Sequence, residues 1–345
     1  MSAPTLPVGD REAPLFAGDA DWDAAQATLL EAALSDGLPA VVPTQARLTA
    51  MLARRRAEAS FGFMPPLFGE ITAGAVAYCC VIAGCLPAEF PVVLEAAIAT
   101  LEPAFNLLGI QTTTGTPTAA VVVHGPVAAA LGMNAGTNCL GPGNRANACI
   151  GRALRLVLTN IGGARPLVGD MATMGQPAKY GMAFAEGAHL LVPPLHTRRG
   201  LDPRVGAVTV IGLSGTIEVL PEAGAATPET VLRPALAAMR GAREAASAGR
   251  HRDPGEQFLL LPPEMADVIA KDGWTLAQAQ EFLQRESGTD WPIARAPEDI
   301  HIIMAGGAGV KMTCLVPWGG GTMCVTRPLR EGQHDSGVAS NHDRR

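Results

Sequence analysis

The chain reads as an α/β protein: a mixed sheet layered with helices, with buried apolar helices and glycine-rich strand–helix loops. Three observations predict this class. Short β-branched runs, such as 118–123 and 207–212, are interleaved with longer stretches of helical periodicity. Residues 71–85 are apolar nearly all round, the pattern of a helix enclosed on every side. Hydrophobic residues make up 48% of the chain and charged ones only 17%, which predicts a large core rather than disorder. Aromatic residues are scarce, so Ala, Gly and Val supply the bulk and allow close packing of helix on sheet.

In order, residues 1–20 read as a flexible lead and 22–34 as an amphipathic helix. Thr44 caps a helix running to Arg56, and 61–69 is a loop rich in Pro and aromatic residues. Pro87 ends the apolar helix 71–85 and opens the next, 88–101. The strand 118–123 ends in His124-Gly125-Pro126, and a short helix 127–131 leads into a glycine loop. Strands follow at 189–192, 207–212, 258–261, 300–304, 312–316 and 322–326, with helices at 227–246, 263–270 and 275–284. Residues 1–60 thus form a lead and helices, 61–330 the main α/β domain (open to division into two subdomains near 200), and 331–345 a disordered tail. No internal repeat is visible.

The stretch 133–180 carries the strongest functional signal. Gly136, Gly141 and Gly143 permit backbone conformations closed to other residues and close approach to a ligand. Asn144 caps the following helix, whose apolar residues recur at Ala146, Ile150, Leu154 and Leu158. Free amides and the positive end of that helix, with Arg145 beside them, make an anion site formed by Gly141, Gly143, Asn144, Arg145 and Asn147. The plainer alternative is a tight structural turn. No Gly-Lys-Ser/Thr follows, so this is not a P-loop, and the third glycine of a dinucleotide fingerprint is missing. Lys179, in a second loop, adds charge to the site or is simply solvated. Cys85, at a helix junction near a positive helix end, is a nucleophile or thiol relay, or else a small core thiol. His124 at the mouth of its strand is the other candidate reactive group, or a structural histidine. A weaker second glycine loop, Ala305-Gly-Gly-Ala-Gly309 with Lys311, also has the character of a ligand loop.

A formal net charge of −6 and the absence of a basic run exclude nucleic acid as the main partner. The start of the chain lacks a secretory pattern and no apolar run reaches membrane length, so a cytoplasmic protein with reduced thiols is expected. No Gly-x-Ser-x-Gly elbow supports a serine hydrolase. Histidines at 124, 189, 196, 251 and 301 are scattered without helical ligand spacing, so no metal ligands are assigned and the cofactor is left unknown. An apolar chain of this size also suits a homo-oligomer.

The run Val81-Ile-Ala-Gly-Cys85-Leu-Pro-Ala-Glu-Phe-Pro-Val-Val resembles a bacterial family encoded beside, or fused to, a small domain with a selenocysteine- or cysteine-Gly-Ser-Cys (UGSC) motif. Leu140-Gly-Pro-Gly-Asn-Arg-Ala-Asn, Ile150-Gly-Arg-Ala, Asn160-Ile-Gly-Gly-Ala-Arg-Pro, Gly175-Gln-Pro-Ala-Lys-Tyr, Phe184-Ala-Glu, Pro194-Leu-His and Ala305-Gly-Gly-Ala-Gly carry the same likeness, which spans about residues 40–330. The resemblance implies a soluble α/β protein linked to thiol or selenol chemistry, as one half of a two-component enzyme. This chain has no Gly-Ser-Cys motif of its own, so a redox centre would come from a separate partner chain. It also lacks the more acidic continuation expected after Glu186, which leaves an acid–base role for that residue unsupported.

The functional expectation is therefore an enzyme or catalytic subunit acting on a small anionic, carboxylate-like molecule, by thiol-dependent cleavage or reduction of a carbon–heteroatom bond. Two other readings are a non-catalytic ligand-binding subunit of a two-component redox system and a metal-dependent hydratase or lyase.

Overall fold

The computed structural model describes residues 4–247 and 254–330, so the expected tail at 331–345 lies outside the described residues. The strands are β1 (Thr5–Val8), β2 (Arg11–Pro14), β3 (Ser60–Met64), β4 (Gly69–Thr72), β5 (Thr118–His124), β6 (Ala183–Ala185), β7 (Ala207–Val219), β8 (Gln257–Leu261), β9 (Ile300–Met304), β10 (Met312–Pro317) and β11 (Val325–Pro328). The helices are α1 (Trp22–Glu31), α2 (Gln45–Leu52), α3 (Ala73–Ala83), α4 (Phe90–Ala99), α5 (Leu107–Thr112), α6 (Pro126–Ala130), α7 (Arg145–Asn160), α8 (Leu195–Arg198), α9 (Pro228–Ser247), α10 (Pro263–Lys271) and α11 (Leu276–Glu286).

The main sheet is mixed, as expected, in the order β6-β5-β7-β10-β8-β9, with β11 on the same edge of β7 as β10. It consists of two units of like topology. In the first, β5 and β6 are parallel across a helical connection and β7 runs antiparallel to β5. In the second, β8 and β9 are parallel and β10 is antiparallel to β8. The antiparallel pair β7–β10 joins the units, with a bulge where Gly215 faces Val316 and Leu213 faces Pro317.

Strand alternation sends residues to two cores. Ala119, Val121 and Val123 of β5 and Val208 and Val210 of β7 face α3, α4 and α7, while Leu259, Leu261, Ile300 and Ile302 face α9, α10 and α11. On the opposite face, Val122, Phe184, Ile211, Phe258, Ile303 and Leu315, drawn from six strands, share one core. The sheet therefore curls, and its two ends are stitched together. Gly187 N donates to Met304 O at 2.7 Å, while Ala185 N and Gly306 N donate to Asn134 O and Ala135 O. The result is an incomplete barrel with helices outside and loop residues such as Cys139, Leu140 and Leu195 plugging the inside.

Local sequence explains the outer helices. Thr72 caps α3, Gly84 ends it in the left-handed conformation at φ 88°, and every residue between is buried. Asn144 caps α7 by accepting from Asn147 N, and Ala146, Ile150, Leu154 and Leu158 are all buried, as their spacing predicts. Gly151 lets α7 press on the strand side: a Cβ there would lie 2.6 Å from Met182 N.

Several expectations need correction. The supposed flexible lead contains the β1–β2 hairpin, in which Val8 and Ala13 are fully buried against the core of α3 and α7. The segment 61–69 lies mostly in the β3–β4 hairpin rather than a loop, and 71–72 belong to β4 rather than to the apolar helix. No strand forms at 189–192; the strand lies earlier, at β6. The loop 131–144 joins helix to helix, and 305–311 joins strand to strand, so neither glycine segment is the expected strand–helix loop. No single helix among the described residues is long and apolar enough to cross a membrane.

Candidate functional site

The stretch around Asn144 has the expected cap, but its polar groups are directed inward. Asn144 Oδ1 accepts from Asn147 N, and Asn144 Nδ2 donates to Gly132 O at 2.8 Å. Asn147, buried, accepts from Asn134 N and donates to Asn134 O and Cys139 O. Gly141 N donates to Asn138 O, and Gly143, at φ 119°, turns the chain into the helix. Arg145 makes a two-pronged ion pair with Glu89, whose side chain is 1% exposed, so its charge is neutralised by the protein itself. The side chains of Asn144, Arg145 and Asn147, and the amides of Gly141 and Asn147, are thus engaged within the chain itself.

Cys85 lies beside that ion pair, and its Sγ donates to Cys149 O at 3.4 Å. Against the expectation of a favoured thiolate, its thiol is held well above the ordinary range. Hydrogen bonding to Cys80 is the main cause, followed by burial and the charge of Glu89. All seven cysteines are free.

Lys179 does not join Arg145. It bonds both oxygens of Asp170 at 2.7 and 2.8 Å, and Arg155 shares that carboxylate at 2.9 Å. Arg155 lies ten residues beyond Arg145 on α7, about 15 Å along the helix at 1.5 Å per residue. Lys311 of the second glycine loop pairs with Glu218 at the rim of a groove of about 390 Å³ between residues 137–140 and 305–311.

His124 has the richest surroundings of the expected reactive groups. The register that pairs Val123 with Ala185 brings His124, at the end of β5, alongside Glu186, just after β6. His124 Nδ1 lies 2.6 Å from Glu186 Oε2, and His124 Nε2 lies 2.7 Å from Thr209 Oγ1, which is itself 2.8 Å from Thr326 Oγ1. His196 of α8 stacks on His124, with ring centroids 5.4 Å apart. One ligand-capable atom from each of His124, Glu186 and His196 lies within 4.8 Å of the others. The His124 and His196 residues are 0% and 1% exposed, and the Glu186 side chain is 1% exposed. Both ring nitrogens of His196, and Glu186 Oε1, are buried without a hydrogen-bond partner. Burial and the neighbouring His124 push the His196 pKa down, against the pull of Glu186 and of the nearby Pro203 backbone, which lies outside good hydrogen-bond geometry.

Gly125 makes this approach possible. It sits at φ 74°, and a Cβ there would lie 2.8 Å from Val205 O and 3.5 Å from His196 Nε2. The irregular segment 187–194 leaves the site at Glu186 and returns at His196, closed by the bond from Leu195 N to Glu186 Oε2 at 2.9 Å. The histidines are scattered in sequence, but folding brings two of them together with Glu186, whose acid–base role is unsupported by sequence alone. The signal that points to Glu186 is its place one residue beyond a strand parallel to β5.

A second buried cluster lies on the same inner side of the sheet. His301 Nε2 is 2.8 Å from Glu256 Oε1, and Cys324 donates to Glu256 through both its backbone N and its Sγ. Arg199, just after α8, donates to Glu256 Oε1, Cys324 Sγ and Cys324 O. Burial alone would raise the Glu256 carboxyl, but the bonds from His301 and Cys324 outweigh it and hold the group below its ordinary range. This cluster is a satisfied charge network, already holding one cation. Comparison with protein-family models, curated proteins and solved structures gives no significant match.

Proposed function

We propose that the chain is an enzyme of the lyase type, acting on a small carboxylate-bearing molecule, with His124, Glu186 and His196 as its reactive centre. The observation that carries this reading is the buried His124–Glu186 pair at 2.6 Å with the unbonded His196 ring stacked against it. A carboxylate hydrogen-bonded to one ring nitrogen fixes the orientation of an imidazole and supports proton transfer. Thr209 and Thr326 extend the hydrogen-bonded chain from the other nitrogen. The supporting charge for an anionic substrate is Arg198. Its guanidinium donates to two carbonyls, Pro193 O and Ile302 O, and forms no salt bridge among the described residues; burial lowers its pKa against the opposing pull of the Glu186 charge.

In this reading a proton leaves the carbon next to the substrate carboxylate for the His124–Glu186 pair. The hydroxyl on the adjoining carbon takes up that same proton and departs as water, leaving a carbon–carbon double bond and the pair as it began. The reverse sequence is hydration. Because the centre is sealed, segment 187–194 and α8 are the cover that must move to admit substrate. The thiol-dependent alternative is less well supported, because Cys85 is buried and held as a thiol.

The test uses the purified chain with a panel of 3-hydroxy carboxylates in deuterated water, followed by proton NMR. Exchange of the α-proton and alkene formation are expected in the wild type and lost in folded His124→Gln and Glu186→Gln. Exchange that persists in both variants, or a wild type inert towards the whole panel, overturns the proposal.

A further inference from the structure

We infer that His124, Glu186 and His196 are the ligands of a divalent first-row transition ion, of the zinc or iron(II) class. The inference rests on the proposed function's choice of centre; with an ion bound, these side chains would act as its ligands rather than take up the substrate proton themselves, and metal binding is measured without any substrate.

Two imidazoles and one carboxylate are a donor set that such ions accept, with further positions left for water or substrate. Here the three donors come from separate segments, the end of β5, the residue after β6 and α8, yet converge within 4.8 Å. Their unused valence is what points to a ligand. Glu186 Oε1 and both His196 nitrogens are buried with no hydrogen-bond partner, although buried polar atoms in folded proteins are nearly always paired. A cation between Glu186 and His196 would account for Glu186 Oε1 and one His196 nitrogen, since an imidazole gives a single ring nitrogen to one ion while the ring also faces the Pro203 backbone.

The surroundings have the form expected behind metal ligands. A ligating histidine normally donates its second ring nitrogen to an oxygen, which fixes the tautomer. With Nδ1 of His124 turned to the ion, Nε2–H donates to Thr209 Oγ1, and Thr326 holds that hydroxyl. Glu186 Oε2 is held in turn by Leu195 N. The nearby Arg198 guanidinium donates to Pro193 O and Ile302 O rather than to Glu186.

The Glu256–His301–Cys324 cluster is the instructive contrast. It also offers three donors, but Arg199 already contacts Glu256 and Cys324, and each carboxylate oxygen of Glu256 is bonded. A metal there would lie against a guanidinium. The metal therefore belongs to the first cluster, where it would tie both ends of segment 187–194 together.

The experiment loads metal-free full-length chain with Zn²⁺, using a competing chelator as readout, and with Co²⁺, read by its visible spectrum. One ion per chain is expected, with a cobalt spectrum free of thiolate charge-transfer bands. His196→Ala and Glu186→Gln, checked for folding by circular dichroism, should each lose about a hundredfold in zinc affinity or more, and Thr209→Val about tenfold. Cys324→Ser should bind as the wild type does. Absence of stoichiometric binding, a thiolate band, or affinity that follows Cys324 rather than His196 overturns the inference. The cobalt spectrum of the wild type decides between the clusters even where a variant does not fold. If His124→Gln abolishes turnover while the wild type binds no metal, the catalytic reading stands and the metal falls. If metal binds but no carboxylate turns over, the reverse holds.

Discussion

At the scale of single residues, His124 shows how one side chain takes its meaning from its neighbours. Its position at a strand mouth marks it as a candidate, but Glu186, Thr209 and His196 define its chemistry. Gly125 is the residue that allows the group to close. Gly125→Ala places a Cβ 2.8 Å from Val205 O at a positive φ, so it is expected to destabilise the fold by about 1–3 kcal/mol, measured by urea unfolding. It should also displace His196, which a shift in the histidine NMR signals would reveal. Arg145 teaches the opposite lesson. The same guanidinium that looks like an anion anchor is bound to Glu89, a carboxylate one turn beyond Cys85 whose closeness the sequence leaves open.

At the scale of elements, short α8 is held from both sides. Leu195 N is tied to Glu186, and Arg199 to Glu256 and Cys324. Arg199→Met should therefore loosen α8, costing about 2 kcal/mol in thermal unfolding and raising the rate of amide exchange at 195–199. The loop carrying Asp170 is pinned to α7 in a comparable way. Burial pushes the Asp170 carboxyl up, but bonds from Lys179 and Ala172 N, with the charges of Lys179 and Arg155, prevail and place it below its ordinary 3.8. A carboxylate lowered by folding contributes stability that is fully present above that unfolded value and is lost as pH falls through the folded one. Asp170→Asn is thus expected to lower stability at neutral pH and to flatten the loss as pH falls below the ordinary carboxylate value, measured by unfolding across a series of acidic pH values. Helix caps were the most legible features at this scale: Thr44 and Asn144 cap as their residue types imply, whereas the cap at Thr72 lay inside the expected apolar helix.

For the whole molecule, the sheet curls around one inner core while its helices cover the outside, and the N-terminal hairpin is part of the outer layer. Tyr78 of α3 donates its hydroxyl to Pro14 O, and Val8 is fully buried. Removing residues 1–14 should therefore cost more than the roughly 1.5–3 kcal/mol of Val8 alone, with a lower midpoint in urea and increased dye binding to exposed apolar surface. The sequence by itself determined the α/β class, the buried helices α3 and α7, and strands such as β5, because these follow from periodicity, capping and branching within a dozen residues. It also marked His124, which ends one of those strands. Only the tertiary structure decided that two units of like topology roll together, that Arg145 and Lys179 lie on separate ion pairs, and that Glu186 and His196 meet His124. Strand register and sheet curvature set those distances, and both depend on pairings between segments far apart in the chain, which no local pattern encodes.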